Sequence, residues 1–512
     1  MKKNRINRIG VVVLAFVASL SCTKDFEEIN TNEIDPTQEV LNPVFLLNTA
    51  IENTSFANTN LIYDLGIVQQ VISPNSGVLT GANYNQENPA FAALHWNRLY
   101  NDVIKHTKDI LERFLVEDAP DRTNLKSMTR LVQALAFMIL TDEYGDIPYF
   151  EAGKGISEDI VLPEYDAQEL IYMDLIEEVR QATAALSESA APETGEVMYS
   201  GDLDKWRRFG NSLLLRIGMR LTEVDPVRAE QLVNEAFSNG VMQSNEENYV
   251  VRHNGDYTNS AGSTLNGSEA NNFYMVKTFV DYLQDTDDPR LGALAIRYIG
   301  AESGPDQTLE AGVKDSDVQI GMPMGFDNGS IVAEAAADGL ASFYGYTQID
   351  RFRVAKQSAP MFILTYAQTQ LLLAEAAVRG WVSGNPADYY TEGVMAHMQT
   401  MEQYDNTIAI PQSEIDAYLA ANPFDASNAL EQINNQYWVA SFLNGPEAFA
   451  NFRRSGFPIL PPNPYPAQDI SGDFINRLIY PTDELATNSE NLNEATARMG
   501  PDNLETKVWW DQ

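Results

Sequence analysis

The groups that could do chemistry in this chain are few and scattered. Four histidines, His95, His106, His253 and His397, show no H-E-x-x-H arrangement and no close pairing of the kind that sets two imidazoles on one zinc ion. They read as surface or hydrogen-bonded structural side chains, so the spacing assigns no metal ligand and no cofactor and leaves a structural metal ion open. No G-x-S-x-G elbow, Walker loop or Rossmann glycine fingerprint occurs, and no catalytic residue is assigned. Asp285, Asp287 and Asp288 begin as a calcium loop does, but Pro289 and the apolar Leu291 to Ile296 lack its glycine and its closing glutamate, so the stretch reads as a helix end. A glycosidase needs two carboxylates at a set separation, and 72 acidic residues supply such a pair by chance in any fold. The carboxylates therefore neither support nor exclude hydrolysis.

The remaining reactive group is Cys22, the only cysteine. A single thiol excludes a structural disulfide, although the residues before it send the chain out of the cytoplasm, where cysteines normally pair. Lys2, Lys3, Arg5 and Arg8 precede an apolar run from Ile9 to Ala18, and small residues follow. That is a signal peptide, too short at roughly ten residues for the about 20 that span a bilayer. Leu20, Ser21 and Cys22 resemble the lipobox of bacterial lipoproteins, in which the signal is cut before the cysteine and the thiol carries lipid. Acyl chains contribute about 0.8 kcal/mol per buried methylene, and two or three of them anchor firmly. The expected organisation is a lipoprotein signal peptide over 1–21, a lipidated tether over 22–40 and one domain over 41–512. The acidic stretch after Cys22, from Lys24 to Glu28, resembles those associated with surface export in Bacteroidetes-type bacteria.

Charge narrows the ligands. With 34 Lys and Arg against 72 Asp and Glu, the formal charge is −38. Nucleic acid binding depends on cations that neutralise phosphates, so that role is excluded. The same field disfavours polyanions beyond a Debye length of roughly 8 Å and leaves neutral ligands as the best fit. A hydrophobic fraction of 44%, with 22 Phe, 6 Trp and 23 Tyr, is ample for a core.

The elements that must position any site are helices. Leu131, Ala134, Leu135, Met138 and Ile139 recur at helical spacing, as do Leu214, Ile217, Gly218 and Leu221, and Ile171, Leu175 and Val179. Asp225 before Pro226 and Asn385 before Pro386 are cap and first-turn signals, and Gly240 and Gly380 stand where helices should stop. The helices pair: Leu371 to Met398 reads as a hairpin whose small residues Ala374, Ala376 and Ala377 admit a close neighbour. Arg207 to Leu221 with Pro226 to Asn239, and Ser127 to Leu140 with Ala167 to Leu186, have the same layout. A further hairpin is expected within Ala92 to Val116, giving about four tetratricopeptide-like units without a strict period. Between them lie Gly/Asn/Ser/Asp-rich tracts, Ser73 to Asn88, Asn254 to Asn272, Gly300 to Gly345 and Asn463 to Asp473. Loops this long in a compact domain are where binding is expected.

Longer motifs then accumulate. "TDEYGDIPYFEA" (Thr141 to Ala152), "DPRL" (Asp288 to Leu291), "GMPMGFDN" (Gly321 to Asn328), "LTYAQTQLLLAEAAVRGW" (Leu364 to Trp381), "NQYWVASFLNGPEAFANFRRSGFPIL" (Asn435 to Leu460) and "KVWWD" (Lys507 to Asp511) resemble the SusD/RagB family of outer-membrane nutrient-binding lipoproteins. The resemblance runs in order along the whole mature chain. It implies a mainly α, SusD-like fold on four tetratricopeptide-like hairpins, with a loop-rich ligand-facing half. It also implies a lipid-tethered place on the outer membrane, facing the cell exterior, and a SusC-like TonB-dependent β-barrel transporter as partner. Members of this family capture glycans, or in some cases peptides, without cleaving them. The matching motifs read as scaffold: Arg453 and Arg454 are expected to tie loops to helices, Trp381, Trp438 and Trp509 to be core, and Phe449 and Tyr437, which depart from the family pattern, to retune packing.

Ligand contacts vary in such a family and have to be argued from chemistry. A neutral sugar offers C–H faces to rings and hydroxyls to amides, so aromatics beside Asn in loops are the natural contacts. The candidates are Asn83, Tyr84, Asn272, Phe273, Tyr274, Phe326, Tyr344 and Tyr346, and each ring can equally plug its own loop. Three alternatives to a glycan-capturing lid stay open: a peptide-binding lid of the same type, a surface lipoprotein glycoside hydrolase and a scaffold that binds proteins only.

Overall fold

The computed structural model describes residues 41–115, 121–155 and 157–512. The signal peptide, Cys22 and the tether lie outside the described residues. From Val44 onward the chain forms one compact unit, and helical hairpins are its scaffold.

Local signals set the helix starts. Asn88 accepts from the Phe91 N–H ahead of Pro89–Arg98, Asp225 from the Arg228 N–H ahead of Pro226–Asn239, and Asn385 from the Ala387 N–H ahead of Pro386–Tyr404. Each satisfies an orphan donor of the first turn, and the proline that follows has no N–H to lose. Thr365 and Gln368 cap Tyr366–Val378 reciprocally. Thr123–Tyr144 pairs with Gln168–Ala185, Leu203–Arg220 with Pro226–Asn239, and Tyr366–Val378 with Pro386–Tyr404. Ala374 and Ala376 are fully buried in the last of these pairs. A Cβ on Gly393 of its second helix would stand 2.8 Å from Leu371 Cγ, so the two helices touch through the missing side chain.

The first hairpin differs from expectation. Residues 89–114 form one continuous helical run with π-helical turns at Leu99–Ile104 and Ile110–Phe114. No Gly or Pro interrupts that stretch, so nothing folds it back on itself. Its partner is the earlier helix Val44–Asn53. Four helix pairs result, with a different first member.

The motif residues meet inside. Buried Asp142 accepts from Trp510 Nε1 at 3.0 Å, from Arg220 Nε at 3.2 Å and from the Tyr172 hydroxyl. Arg220 also donates to Glu447 at 2.6 Å, and Glu447 accepts from Tyr437 at 2.6 Å. Buried charges persist when each is paired and hydrogen-bonded, and this network joins three of the distant motifs through Arg220 and Tyr172. Arg453 behaves as expected, joining the Asn476 carbonyl to the Asp142 carbonyl. Arg454 instead ties helix to helix, with two 2.7 Å bonds to Glu375. Trp438 is core, whereas Trp381 and Trp509 pack at its margin and Trp510 takes the buried place. A tryptophan doublet cannot bury both rings on one face, because successive side chains point apart.

The loop half hangs on short antiparallel pairings. Val71–Ile72 pairs with Tyr274–Met275, Tyr249–Val251 with Met361–Leu364, and Ala295–Tyr298 lies between Gly312–Val313 and Gln348–Ile349. Over these sits a second small core of Ile72, Tyr274, Val276, Met322, Met324, Ile331 and Tyr346. The long tracts are not structureless: Ser260–Leu265 and Ile331–Ala337 are helices within them.

Candidate functional site

Three of the polar tracts are stitched into one surface by side-chain amides. Asn83 Nδ2 donates to the Ser73 carbonyl at 2.9 Å and the Phe326 carbonyl at 2.8 Å, and its Oδ1 accepts from the Gly325 N–H at 2.8 Å. Asn463 Nδ2 reaches back to the Ala82 and Asn83 carbonyls at 3.1 and 3.0 Å. The Asn328 N–H donates to Pro74 and the Asp469 N–H to Asn85, at 2.8 and 3.0 Å. Gly325 lies at φ +87°, where a Cβ would stand 3.0 Å from both Asn463 and Pro464, so the loops close up only around glycine. Backbone polar groups that would otherwise need water are paired between loops, and the surface is held without regular secondary structure.

On this surface the Tyr84 and Tyr465 rings stack, centroids 3.6 Å apart and planes 1° from parallel. Tyr84 is 9% exposed, and Tyr465, between Pro464 and Pro466, is half-buried. Burial, together with the nearby Asp327 carboxylate, pushes the Tyr84 hydroxyl up to about 12. Phe326 is half-buried beside them and faces a cleft of about 600 Å³, lined also by Gln69, Val276, Met324, Pro461 and Pro464. The walls are mainly apolar, with Lys277 and Asp281 at the rim forming a 2.7 Å ion pair.

The eight residues expected to touch a ligand divide by burial. Four are internal. Tyr274 is fully buried opposite Ile72 with its hydroxyl on the Asn271 carbonyl at 2.6 Å, and Tyr346 is fully buried with its hydroxyl on Asp338 at 2.8 Å. Phe273 is core as well, and the Asn83 amide is spent on the loop clamp. These rings are packing: a loop half with its own small core needs apolar side chains, and aromatic residues fill it. Asn272 is half-buried, its amide donating to Glu269 at 2.9 Å, and Glu269 also accepts from Asn75 at 2.9 Å. Tyr344 is half-buried and stacks on Phe343 with centroids 4.3 Å apart. Phe326, Tyr344 and Asn272 therefore keep access to solvent, whereas Tyr84 is buried at 9% exposure and backs the half-buried Tyr465 ring. Tyr465 is the residue that sequence reasoning missed; its signal was an aromatic ring bracketed by prolines in "PPNPYP", a stiff loop that presents its side chain outward.

Two further clefts lie on the helical half. One of about 660 Å³ is polar, with Gln243, Glu246, Glu392 and Glu402, and its aromatic member Tyr366 has its hydroxyl on Glu392 at 3.0 Å. The other, about 530 Å³, gathers Lys108, Lys126, Arg130 and Lys154 beside Tyr149 and Phe150. Neither sets a stacked ring pair on loops joined by side-chain amides, and the second is lined by cations, which is why the Tyr84–Tyr465 face is the candidate.

The family described as "Starch-binding associating with outer membrane", SusD-like, matches residues 32–481. The chain belongs to the SusD-like family. A solved chitin-binding protein is 31% identical and superposes with a TM-score of 0.81, the match covering 92% of this SusD-like chain and all (100%) of the other. A Bacteroidetes SusD-like structure is 25% identical with a TM-score of 0.80, covering 92% and 100%. A SusD homologue from Bacteroides uniformis, at 21% identity, TM-score 0.73 and coverage of 92% and 98%, shares the fold. Among curated proteins none matches the chain. The mainly α fold on helical hairpins is thus that of the SusD-like proteins.

Proposed function

We propose that this SusD-like chain is a lipid-anchored protein of the outer-membrane surface that captures an oligosaccharide on the Tyr84–Tyr465 face and passes it, uncleaved, to a TonB-dependent β-barrel. The observation that carries the reading is the stacked Tyr84–Tyr465 pair beside Phe326 on loops clamped by Asn83 and Asn463. Clamped rings lose little freedom when a sugar docks, and a pre-organised surface keeps more of its contact energy as affinity. Each ring contact contributes about 0.5 to 1.5 kcal/mol beyond area burial, so Tyr465 and Phe326 supply roughly 1 to 3 kcal/mol before hydrogen bonds, with Tyr84 backing the Tyr465 ring. That suits a millimolar to micromolar binder, at about −4 to −8 kcal/mol, and weak capture suits a protein that hands its cargo onward. The formal charge of −38 favours a neutral sugar. The 31% identical chitin-binding relative makes chito-oligosaccharides the first class to test.

The test is extraction in mild detergents at native expression, followed by incubation with chito-oligosaccharides. A co-purifying β-barrel and sugar recovered at its original length support the reading. Free lipoprotein in every detergent argues for a protein-only scaffold, and shortened sugar argues for a hydrolase.

A further inference from the structure

Where helical segments of the scaffold meet, Asp64, His95 and Glu143 come together out of contact with solvent. Asp64 ends the π-helical turn Asn60–Asp64, His95 lies in Pro89–Arg98 and Glu143 is the penultimate residue of Thr123–Tyr144. His95 Nδ1 is 2.9 Å from Glu143 Oε1 and 3.7 Å from Asp64 Oδ2. One ligand-type atom from each of the three residues falls within 4.8 Å of the others.

The hydrogen bonding around this group does not close. Both oxygens of Asp64 and Oε2 of Glu143 are buried with no hydrogen-bond partner. His95 Nε2 lies 3.2 Å from the Ala57 carbonyl. A carbonyl can only accept, so Nε2 carries the proton and the Nδ1 lone pair of the neutral ring faces the two carboxyl groups. With both carboxyls ionised, three acceptors converge with nothing between them; a proton on Glu143 would close its 2.9 Å contact with Nδ1 but still leave both Asp64 oxygens and Glu143 Oε2 without a partner. Protonating Asp64 does not cure this, because a protonated carboxyl needs an acceptor and neither of its oxygens has one in reach. An unsatisfied buried polar group costs several kcal/mol, more when charged.

We propose that Asp64, His95 and Glu143 bind a divalent transition ion, Zn²⁺ or Mn²⁺, as a structural centre of the scaffold. Ligands about 2.1 Å from such an ion stand about 3.0 Å apart at roughly a right angle and about 3.6 Å apart at roughly 120°. The two measured separations, 2.9 and 3.7 Å, fit those values. The Nε2–H donated to Ala57 is the outer bond by which a metal-bound histidine fixes its tautomer and ring plane. One imidazole with two carboxylates selects a borderline ion, whereas Ca²⁺ seeks six to eight oxygens and Mg²⁺ retains several waters. The ion would join three segments that are far apart in sequence. One of them runs on through Leu65–Ile67 to Val71–Ile72 and the loop bearing Asn83 and Tyr84, so the centre anchors the root of the candidate site without touching a ligand.

The test is anomalous diffraction from crystals of wild-type protein expressed in zinc-supplemented medium, since a closed site fills during folding. The expected result is one peak between Asp64, His95 and Glu143, with a melting temperature a few degrees above that of protein refolded in chelator. Asp64→Asn and, separately, Glu143→Gln should lose the peak and the chelator sensitivity together. A wild-type map with no peak at this position overturns the proposal, and so does a chelator effect that persists unchanged in both variants.

Discussion

Replacing Glu375 by Gln tests the reasoning about the buried motifs most sharply. Glu375 lies on Tyr366–Val378 and accepts two 2.7 Å bonds from Arg454, one of 3.0 Å from Arg379 and one of 3.2 Å from Asn434. Burial alone would raise its pKa, but the Arg454 and Arg379 guanidinium groups more than offset that and hold it at about 2, against an ordinary 4.5. That depression corresponds to about 3 kcal/mol at 1.36 kcal/mol per unit. Breaking a buried pair by removing one partner costs about 3 to 5 kcal/mol, because the remaining charge is left uncompensated. Glu375→Gln should therefore lose about 3 to 5 kcal/mol in denaturant unfolding at neutral pH. The pH dependence has a definite sign. A carboxyl whose folded pKa is depressed stabilises fully above its unfolded value and loses that contribution as pH falls through the folded one. The gap between wild type and variant should accordingly narrow between about pH 4.5 and pH 2. Variant and wild type within about 1 kcal/mol at neutral pH, or a gap constant across that window, would refute the assignment of Glu375 and Arg454 as a stabilising clamp.

Three further outcomes are expected. Cys22→Ser should release the protein from membranes or leave its signal uncleaved, since the acyl attachment is lost, and membrane fractionation with intact mass reads the change. Asn83→Ala removes two donated bonds and one accepted bond, costing about 1 to 3 kcal/mol locally. Hydrogen exchange should speed up in 73–88 and 321–328 while the helices stay protected. Gly445→Ala places a Cβ 2.3 Å from Asn60 Oδ1 and 2.6 Å from Asp64 Cβ, so overpacking of about 1 to 3 kcal/mol should lower the melting temperature.

The scaffold was legible because its signals are local. Helical periodicity, Asn or Asp followed by Pro, and alanines at a hairpin seam act within a turn or two, and three of the four helix pairs follow from them. The pair formed by Val44–Asn53 with residues 89–114 was not legible, because its members are separated by the loop that carries Asn83 and Tyr84. The candidate site was only half visible. Loop composition pointed to the tracts that carry the candidate face, but Tyr274 and Tyr346 occupy loop-like sequence and fill a small core, while Tyr84 and Tyr465 meet from opposite ends of the chain. The same holds for Asp64, His95 and Glu143, whose convergence leaves no spacing motif because three helical segments supply one residue each.

A neutral sugar seated on the Tyr84–Tyr465 face is tested by isothermal titration of chito-oligosaccharide into wild type, Tyr465→Ala and Phe326→Ala. Wild type should bind with a Kd between about 1 mM and 1 μM. Each variant should bind several-fold more weakly, Tyr465→Ala at a nearly unchanged melting temperature because its ring lies outside the core, and Phe326→Ala at a slightly lower one because its ring packs against the small core of the loop half. Wild-type affinity retained in both folded variants would place the sugar elsewhere than on this face.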